Sequence, residues 1–104
     1  MDTKHKLLKC TKKTKQHLAK FAAKHPEKTF AVWRLAAACN TITKGVNNEG
    51  WDEVLKGTMS AYDVFISQID SRIYGYYTTW YVSVHLSRIS RLAKVYTQEV
   101  INAK

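Results

Sequence analysis

The sequence predicts an all-α fold, a small bundle of three to four helices with a basic N-terminal helix. The 104 residues include only one proline and four glycines, so the residues that interrupt helices are rare. Hydrophobic residues make up 45% of the chain, which is typical of a folded domain. Apolar residues recur every three or four positions, the spacing of one face of a helix. These three observations together favour helices over sheet.

The length fits one compact domain, so we predict a single helical domain over residues 1–104. No run of about 18 apolar residues and no secretory leader is visible, which predicts a cytoplasmic protein that does not cross a membrane. Two cysteines, Cys10 and Cys39, are too few for a disulfide scaffold, and we expect both to be reduced.

Helix 1 is predicted over about residues 4–24, before the His25-Pro26 break. One stripe carries its apolar and small residues: Leu7, Thr11, Thr14, Leu18 and Ala22, with Phe21 at the edge. Lysines occupy the opposite face. Because two threonines interrupt the apolar stripe, we expect this helix to dock loosely or to become fully ordered only on a partner.

Helix 2 is predicted over about residues 27–44, because Pro26 suits the first turn of a helix. Its main apolar stripe comprises Val32, Leu35, Cys39, Ile42 and Val46, and a second flank comprises Phe30, Trp33 and Ala37. With so little polar surface it should be the most buried helix. Gly45 is the expected C-cap of this helix, and Asn48 is the expected N-cap of the next.

Helices 3 and 4 are predicted over about residues 49–72 and 75–102. Each follows a ladder with alternating steps of four and three residues. The first ladder is Leu55, Met59, Tyr62, Ile66, Ile69, Ile73, Tyr76 and Trp80, and the second is Gly75, Thr79, Val82, Leu86, Ile89, Ala93, Tyr96 and Val100. Two such ladders exceed what short helices readily bury, which suggests a homodimer. An alternative is a strand over Ile73 to Val84, where tyrosine, threonine and valine are frequent.

Charge is segregated along the chain, whose formal net charge is +9. Residues 1–28 contain nine lysines and two acidic residues, whereas residues 29–104 contain eight basic and six acidic residues. A field of this kind attracts polyanions. The simpler interpretation is that the lysines only keep a small protein in solution.

Catalysis has little support in the sequence, and we predict no enzymatic activity, no catalytic residue, no cofactor and no small-molecule substrate. The acidic residues are scattered, and no glycine-rich phosphate loop is present. Cys10, His17 and His25 are spaced too widely to form a zinc site. Cys39 lies on an apolar stripe, so we interpret it as an inert buried thiol and not as a nucleophile paired with His85.

The leading functional prediction is a nucleic-acid-binding protein. The predicted phosphate contacts lie on helix 1, with a secondary patch on helix 4: Lys6, Lys9, Lys12, Lys13, Lys20 and Lys24, then Tyr81, Arg88 and Arg91. RNA or single strands are favoured, because the only candidate groove-reading helix, residues 51–70, is acidic. The competing interpretation makes Trp80 and Val84 core residues and the two arginines their solvated rim.

Two other kinds of partner, a protein and a membrane surface, could be attracted by the same positive charge. A protein-interaction module, such as an inhibitor, adaptor or antitoxin-like protein, would use the cationic face to cover an acidic or nucleic-acid-associated protein. A membrane surface is also anionic, but the threonines make helix 1 too weakly apolar for strong insertion, so no membrane attachment is predicted.

Overall fold

A computed structural model, which describes residues 2–103, shows four α-helices and one short turn of 3-10 helix. The helices are α1 (Thr3–Lys24), α2 (Thr29–Asn47), α3 (Trp51–Asp70) and α4 (Tyr76–Asn102), and the 3-10 turn is Pro26–Lys28. This confirms the predicted all-α bundle. Residues 2–103 contain no strand, so the alternative of a strand over residues 73–84 is wrong. A helix there buries Thr78 and Val82 in the core, which a lone strand without a pairing partner cannot do.

The helices form a ring in which α1 packs on α2 and α4, and α3 also packs on α2 and α4. Among the described residues, no Cα atom of α1 lies within 8 Å of a Cα atom of α3. The core in the middle consists mainly of aliphatic side chains with no measurable exposure: Leu7, Leu18, Leu35, Ile42, Val46, Val54, Val82, Leu86 and Ile89. The two helices that carry the most different surfaces, α1 and α3, therefore occupy opposite corners of the bundle.

Helix α1 is packed firmly against this core, contrary to the expectation that it docks loosely. Thr11 and Thr14 are fully buried, yet neither leaves an unsatisfied hydroxyl. The Thr11 hydroxyl donates to the Leu7 carbonyl at 2.8 Å, and the Thr14 hydroxyl donates to the Cys10 carbonyl at 3.0 Å. Because each threonine satisfies itself on its own helix, its methyl group is free to pack on neighbouring side chains. The two threonines in the apolar stripe therefore reduce the stability of the packed helix only slightly.

Helices α2 and α3 approach each other closely at two glycines. A Cβ atom on Gly57 would lie 2.8 Å from Ile42 Cγ1, and one on Gly45 would lie 2.8 Å from the Val54 nitrogen. Both glycines are inside helices, so the prediction of Gly45 as a C-cap is wrong. Position 45 needs a glycine because α2 and α3 approach closely there, and not because the helix ends there.

The end of α2 is a Schellman turn whose left-handed residue is Glu49, with φ of 54°. The Gly50 N–H donates to the Gly45 carbonyl, and the Glu49 N–H donates to the Val46 carbonyl. Asn48 is the C-cap of α2, and Gly50 is the N-cap of α3. The prediction of Asn48 as the N-cap of helix 3 is therefore wrong, because the Schellman turn needs two more residues before α3 starts.

The two predicted apolar ladders differ in how deeply the bundle buries them. The second is buried along α4 from Val82 to Tyr96. The first is largely on the surface: Met59 is 67% exposed and Ile66 is 54% exposed. Helix α3 instead buries a line of smaller and mixed residues, Val54, Gly57, Thr58, Ala61, Phe65 and Gln68. The Gly57 contact sets this rotation, because Ile66 lies nine residues away and therefore on the opposite side of the helix.

The second apolar flank predicted for α2 is also exposed. Phe30 and Trp33 contact each other with ring centroids 5.9 Å apart, but both are mostly open to solvent. The helix therefore has one buried stripe and one exposed flank, and the expectation of burial on both is wrong for these two aromatic residues.

A buried polar chain fixes the turn between α3 and α4. The Tyr74 hydroxyl donates to Gln68 Oε1, and Gln68 Nε2 donates to the Ala31 carbonyl, both at 2.6 Å. Lys28 adds a bond from its ammonium to the Ile73 carbonyl. Burial raises the pKa of the Tyr74 hydroxyl far above its usual value, so this hydroxyl stays protonated and remains a donor.

None of the four helices described within residues 2–103 has the length and the apolar composition that a membrane span requires.

Candidate nucleic-acid interface

A cationic groove lies between α1 and α4, and we call it the arginine groove. Its volume is about 460 Å³. Its lining combines five cations with a few apolar side chains: Lys6, Lys9, Lys13, Arg88 and Arg91, with Cys10, His85, Leu92 and Val95. The three lysines come from the first half of α1, and the two arginines come from the middle of α4. The packing of α1 on α4 thus brings together two patches that the sequence placed more than 70 residues apart.

The cations of the arginine groove are solvent-exposed and carry no carboxylate partner. All five are in the exposed class. Within residues 2–103 the only ion pair joins His25 Nδ1 to Glu27 Oε1, at 3.7 Å, outside this groove. Five uncompensated positive charges around one concave surface give a field that attracts an anion and disfavours a second cation.

Three stacked rings, which we call the ring stack, connect the arginine groove, lined by His85, to a second groove, lined by His17. Tyr81 lies between His17 and His85, with centroids 4.1 Å away on both sides and planes within 14° of parallel. The rings are held in place from behind. His17 Nε2 is 3.0 Å from the Thr78 hydroxyl, and His85 Nδ1 is 2.9 Å from the Tyr81 carbonyl.

Burial is the main cause of a lowered pKa at His17, and the charges of His85, Lys20 and Lys24 add to it. The neutral ring is therefore favoured in the free protein, even though His17 lies on the cationic side of the bundle. The same neighbouring charges would attract a phosphate, whose arrival would reverse this bias.

A second groove, the tyrosine groove, continues beyond the ring stack and has a volume of about 610 Å³. It is lined by basic residues from the end of α1 and by aromatic residues at the start of α4: His17, Lys20, Phe21, Lys24, His25, Lys28, Gly75, Tyr76, Tyr77 and Thr78. Tyr76 is 92% exposed and Tyr77 is 63% exposed. Their ring faces are therefore accessible next to two free ammonium groups.

The two grooves and the ring stack form one continuous surface, which we call the basic seam. From Lys6 to Lys24 it follows α1 for about 27 Å, at 1.5 Å per residue. Of the predicted contacts, Lys6, Lys9, Lys13, Arg88 and Arg91 line the first groove. Lys20 and Lys24 line the second.

Two of the predicted residues have other positions. Lys12 is exposed but lines neither groove, because at 100° per residue its side chain is turned 100° around α1 from that of Lys13. Tyr81 is in the seam, but His17 and His85 cover both faces of its ring, and burial raises the pKa of its hydroxyl. Tyr81 therefore supports the floor of the seam and has no ring face left for a base. Trp80 is 55% exposed and Val84 is 39% exposed, so the interpretation of these two as core residues is wrong.

The thiols and histidines do not converge on a reactive site. Cys39 is fully buried, and burial raises the pKa of its thiol to about 11. Cys10 is also buried, with its sulfur 3.5 Å from the His85 carbonyl oxygen. In the described part of the chain, no three His, Cys, Asp or Glu side chains lie close enough together to hold a metal ion. Both cysteines are free thiols.

Sequence reasoning did not assign a role to His17 and His85 in the interface. The i, i+4 spacing of Tyr81 and His85 was available as a signal for ring stacking on α4. The contribution of His17 depends on how α1 is aligned along α4, which local spacing does not reveal.

No protein-family model, no curated protein and no solved structure matches this chain.

Proposed function

We propose that the protein is a non-enzymatic nucleic-acid-binding protein that holds a single strand of RNA or DNA along the basic seam. The observation that carries the proposal is the arginine groove, in which three lysines of α1 and two arginines of α4 line one exposed concavity without acidic partners.

The seam has the charge pattern that a phosphate backbone requires. Lys6, Lys9 and Lys13 recur at three and four residues, so their ammonium groups follow one line along the helix. Lys20 and Lys24 continue that line past the ring stack. Ammonium groups contact phosphates without reading bases, whereas the planar guanidinium groups of Arg88 and Arg91 can bind a phosphate through two parallel hydrogen bonds.

Exposed aromatic rings favour a single strand over a duplex. Tyr76 and Tyr77 face solvent beside Lys20 and Lys24 in the tyrosine groove. Trp80 is exposed one turn further along α4, with its ring centroid 6.0 Å from that of Tyr77. Unpaired bases stack on such rings, while the bases of a duplex are already stacked on each other.

The test is a fluorescence-polarisation titration with single-stranded RNA, single-stranded DNA and duplex DNA of equal length, at several salt concentrations. The seam has seven Lys and Arg side chains besides Lys28, whose ammonium donates to the Ile73 carbonyl. If all seven contact phosphates, the logarithm of the single-strand affinity should fall against the logarithm of salt concentration with a slope of about −5. That slope corresponds to a loss of about 10³-fold between 50 and 200 mM salt. We expect RNA and single-stranded DNA to bind more tightly than duplex DNA.

Two triple variants with the same loss of charge test whether binding depends on the position of the lysines or only on the net charge of the protein. Replacing Lys6, Lys9 and Lys13 by alanine should weaken binding roughly 100-fold near 100 mM salt and reduce the slope by about two. Replacing Lys12, Arg34 and Lys44 by alanine removes the same charge from exposed sites outside both grooves and outside α3. This matched control should retain most of the affinity. Equal losses in the two variants would show that binding follows total charge, and the assignment to the seam would then fail.

A further inference from the structure

Helix α3 presents an apolar face that the rest of the described chain covers only along one edge, where Leu55 and Tyr62 pack partly against the core. We call its residues within the helix, Leu55, Met59, Tyr62, Ile66 and Ile69, the α3 ladder. Met59, Ile66 and Ile69 are 67%, 54% and 41% exposed, and Leu55 and Tyr62 are half-buried. Measured around the helix at 100° per residue, the ladder lies 120° to 200° from Gly57, the point where α3 touches α2. It therefore faces away from the nearest neighbouring helix.

The spacing of the ladder is that of a helix–helix seam. Its steps alternate between four and three residues, which places successive side chains at the a and d positions of a heptad. A single exposed apolar residue needs no explanation, but an apolar line over most of a 20-residue helix marks an interaction surface. A second helix with the same spacing is the partner that such a line accommodates.

The charges beside the ladder select that partner. Lys56, Asp63 and Asp70 occupy the e positions along its edge and are all exposed. In a parallel pair of α3 helices, e positions lie beside the g positions of the second copy, which are Thr58 and Phe65. Both are buried in the monomer, so a parallel pair gives the three charged residues no partner of opposite charge. In an antiparallel pair with the two-fold axis near Val64, Lys56 lies opposite Asp70 of the second copy, twice, and Asp63 alone meets its own copy. The antiparallel arrangement therefore has two attractive contacts and one repulsive one.

The same axis also aligns the apolar side chains. Met59 lies opposite Ile69 of the second copy, and Tyr62 lies opposite Ile66, so each contact is made twice. A surface that complements itself about a two-fold axis is the defining property of an isologous dimer. Helix α3 is suited to this role in a basic protein, because its four acidic residues against one lysine give it a net charge of −3. Two copies can thus approach through α3 without bringing their lysine-rich α1 helices together.

We infer that a second copy of this chain covers the α3 ladder, forming an antiparallel, two-fold symmetric dimer through α3. The interface is confined mainly to one helix about 30 Å long, and its area is below the standard size of stable complexes. The dimer is therefore reversible, with a dissociation constant on the order of 1 μM to 1 mM. The inference does not depend on the proposed nucleic-acid function, because α1 and α3 occupy opposite corners of the bundle.

Sedimentation velocity on nuclease-treated protein, from about 5 μM to 1 mM, tests the dimer, because nucleic acid that bridges two copies has been removed. The wild-type chain should shift from monomer to dimer across this range. Ile66→Asp should remain monomeric throughout while keeping its helical circular dichroism, since Ile66 is a surface residue. Lys12→Glu, an exposed change on α1, is the control and should dimerise like the wild type.

Charge exchange tests the antiparallel geometry. Lys56→Glu and Asp70→Lys each place like charges opposite one another, and each should weaken the dimer by about tenfold, whereas an equimolar mixture of the two variants should form a heterodimer in which both contacts are attractive. The double variant Lys56→Glu with Asp70→Lys should regain wild-type affinity. A wild-type chain that stays monomeric at 1 mM would overturn the dimer, and so would dimerisation that survives Ile66→Asp. Single charge variants that dimerise as well as the wild type would overturn the antiparallel pairing.

Discussion

Helices α1 and α3 are similar in length but present opposite surfaces. Between Thr3 and Lys24, α1 has eight lysines and no acidic residue, whereas between Trp51 and Asp70, α3 has one lysine and four acidic residues. The exposed face of α1 is a line of cations, and the exposed face of α3 includes a line of apolar side chains. The two helices occupy opposite corners of the bundle, so α2 and α4 lie between the two surfaces. One surface suits a polyanion and the other suits a helix.

The same two helices also differ in how they meet the core. Helix α1 uses full-sized aliphatic side chains, Leu7 and Leu18, with self-satisfied threonines between them. Helix α3 uses a glycine, which brings its backbone against α2 and fixes which of its faces is buried. The more hydrophobic face of α3 is therefore not the face that the bundle buries, and burial follows the closest backbone approach.

The largest expected effect is a difference in stability between a variant at a buried residue of α1 and a variant at an exposed residue of α3. Leu18→Ala removes a side chain with no exposure and should lower the free energy of unfolding by about 2–5 kcal/mol, through lost burial and the cavity left behind. Met59→Ala should change it by less than about 0.5 kcal/mol, because Met59 is 67% exposed. Urea denaturation followed by circular dichroism at low protein concentration measures both. Equal losses would contradict the assignment of the α3 ladder to the surface of the monomer.

A smaller effect is expected from Gly57→Ala. The added methyl group would lie 2.8 Å from Ile42 Cγ1 and 2.9 Å from the Ile42 nitrogen, and the backbone atom can move only if α2 and α3 separate. Overpacking of this kind costs about 1–3 kcal/mol, of which the better helix propensity of alanine returns about 1 kcal/mol. Because the Ile42 backbone nitrogen cannot move aside, the cost should lie in the upper part of this range, and we expect a net loss of up to about 2 kcal/mol in the free energy of unfolding.

Gly75→Ala is the matched control for Gly57→Ala. A Cβ atom at Gly75 meets no other atom within 4 Å, and the backbone there is extended. The change should move the urea midpoint little. If Gly57→Ala were as mild as Gly75→Ala, close packing at Gly57 would not be what sets the rotation of α3.

Periodicity predicted the elements of this fold better than the faces that the helices bury. Along α4 the apolar spacing matched the buried line from Val82 to Tyr96, because that ladder has no more hydrophobic competitor on the same helix. Along α3 the ladder with Met59 and Ile66 is more hydrophobic than the line with Gly57 and Thr58, yet the second line is buried. Hydropathy compares the faces of one helix by the side chains that each face carries. Close packing at a glycine depends on the neighbouring helix, so it cannot be predicted from the sequence of one helix alone.

The candidate interface was partly accessible from sequence for a similar reason. The lysines of α1 and the arginine pair of α4 are each visible as local clusters. Their meeting in one groove depends on the alignment of α1 along α4, and so does the stacking of His17 on Tyr81. Lys12 was included because it belongs to the same cluster in sequence, but its position around the helix places it outside both grooves.

The smallest expected effect uses pH to separate the two surfaces. Burial, with the charges of His85, Lys20 and Lys24, lowers the pKa of His17 in the free protein. The unfolded chain therefore holds more protons than the folded one just below the ordinary histidine value of about 6.5, and the contribution of His17 to stability is lost as pH falls through that range. A bound polyanion favours the protonated ring, so nucleic-acid affinity should move in the opposite direction and increase as pH falls.

Between pH 7.5 and 5.5, we expect single-strand affinity to rise about threefold to tenfold and the salt slope to steepen by up to about one, the contribution of one added charge. His17→Gln should remove part of this dependence, while His5→Gln, an exposed change that lines neither groove, should retain it. Helix α3 contains no histidine, the side chain whose ordinary pKa lies in this range, so dimerisation through α3 should respond much less. Polarisation and sedimentation on the same samples measure both. Affinity that stayed constant with pH would show that His17 lies outside the bound anion's field, and the strand would then have to bypass the ring stack that joins the two grooves.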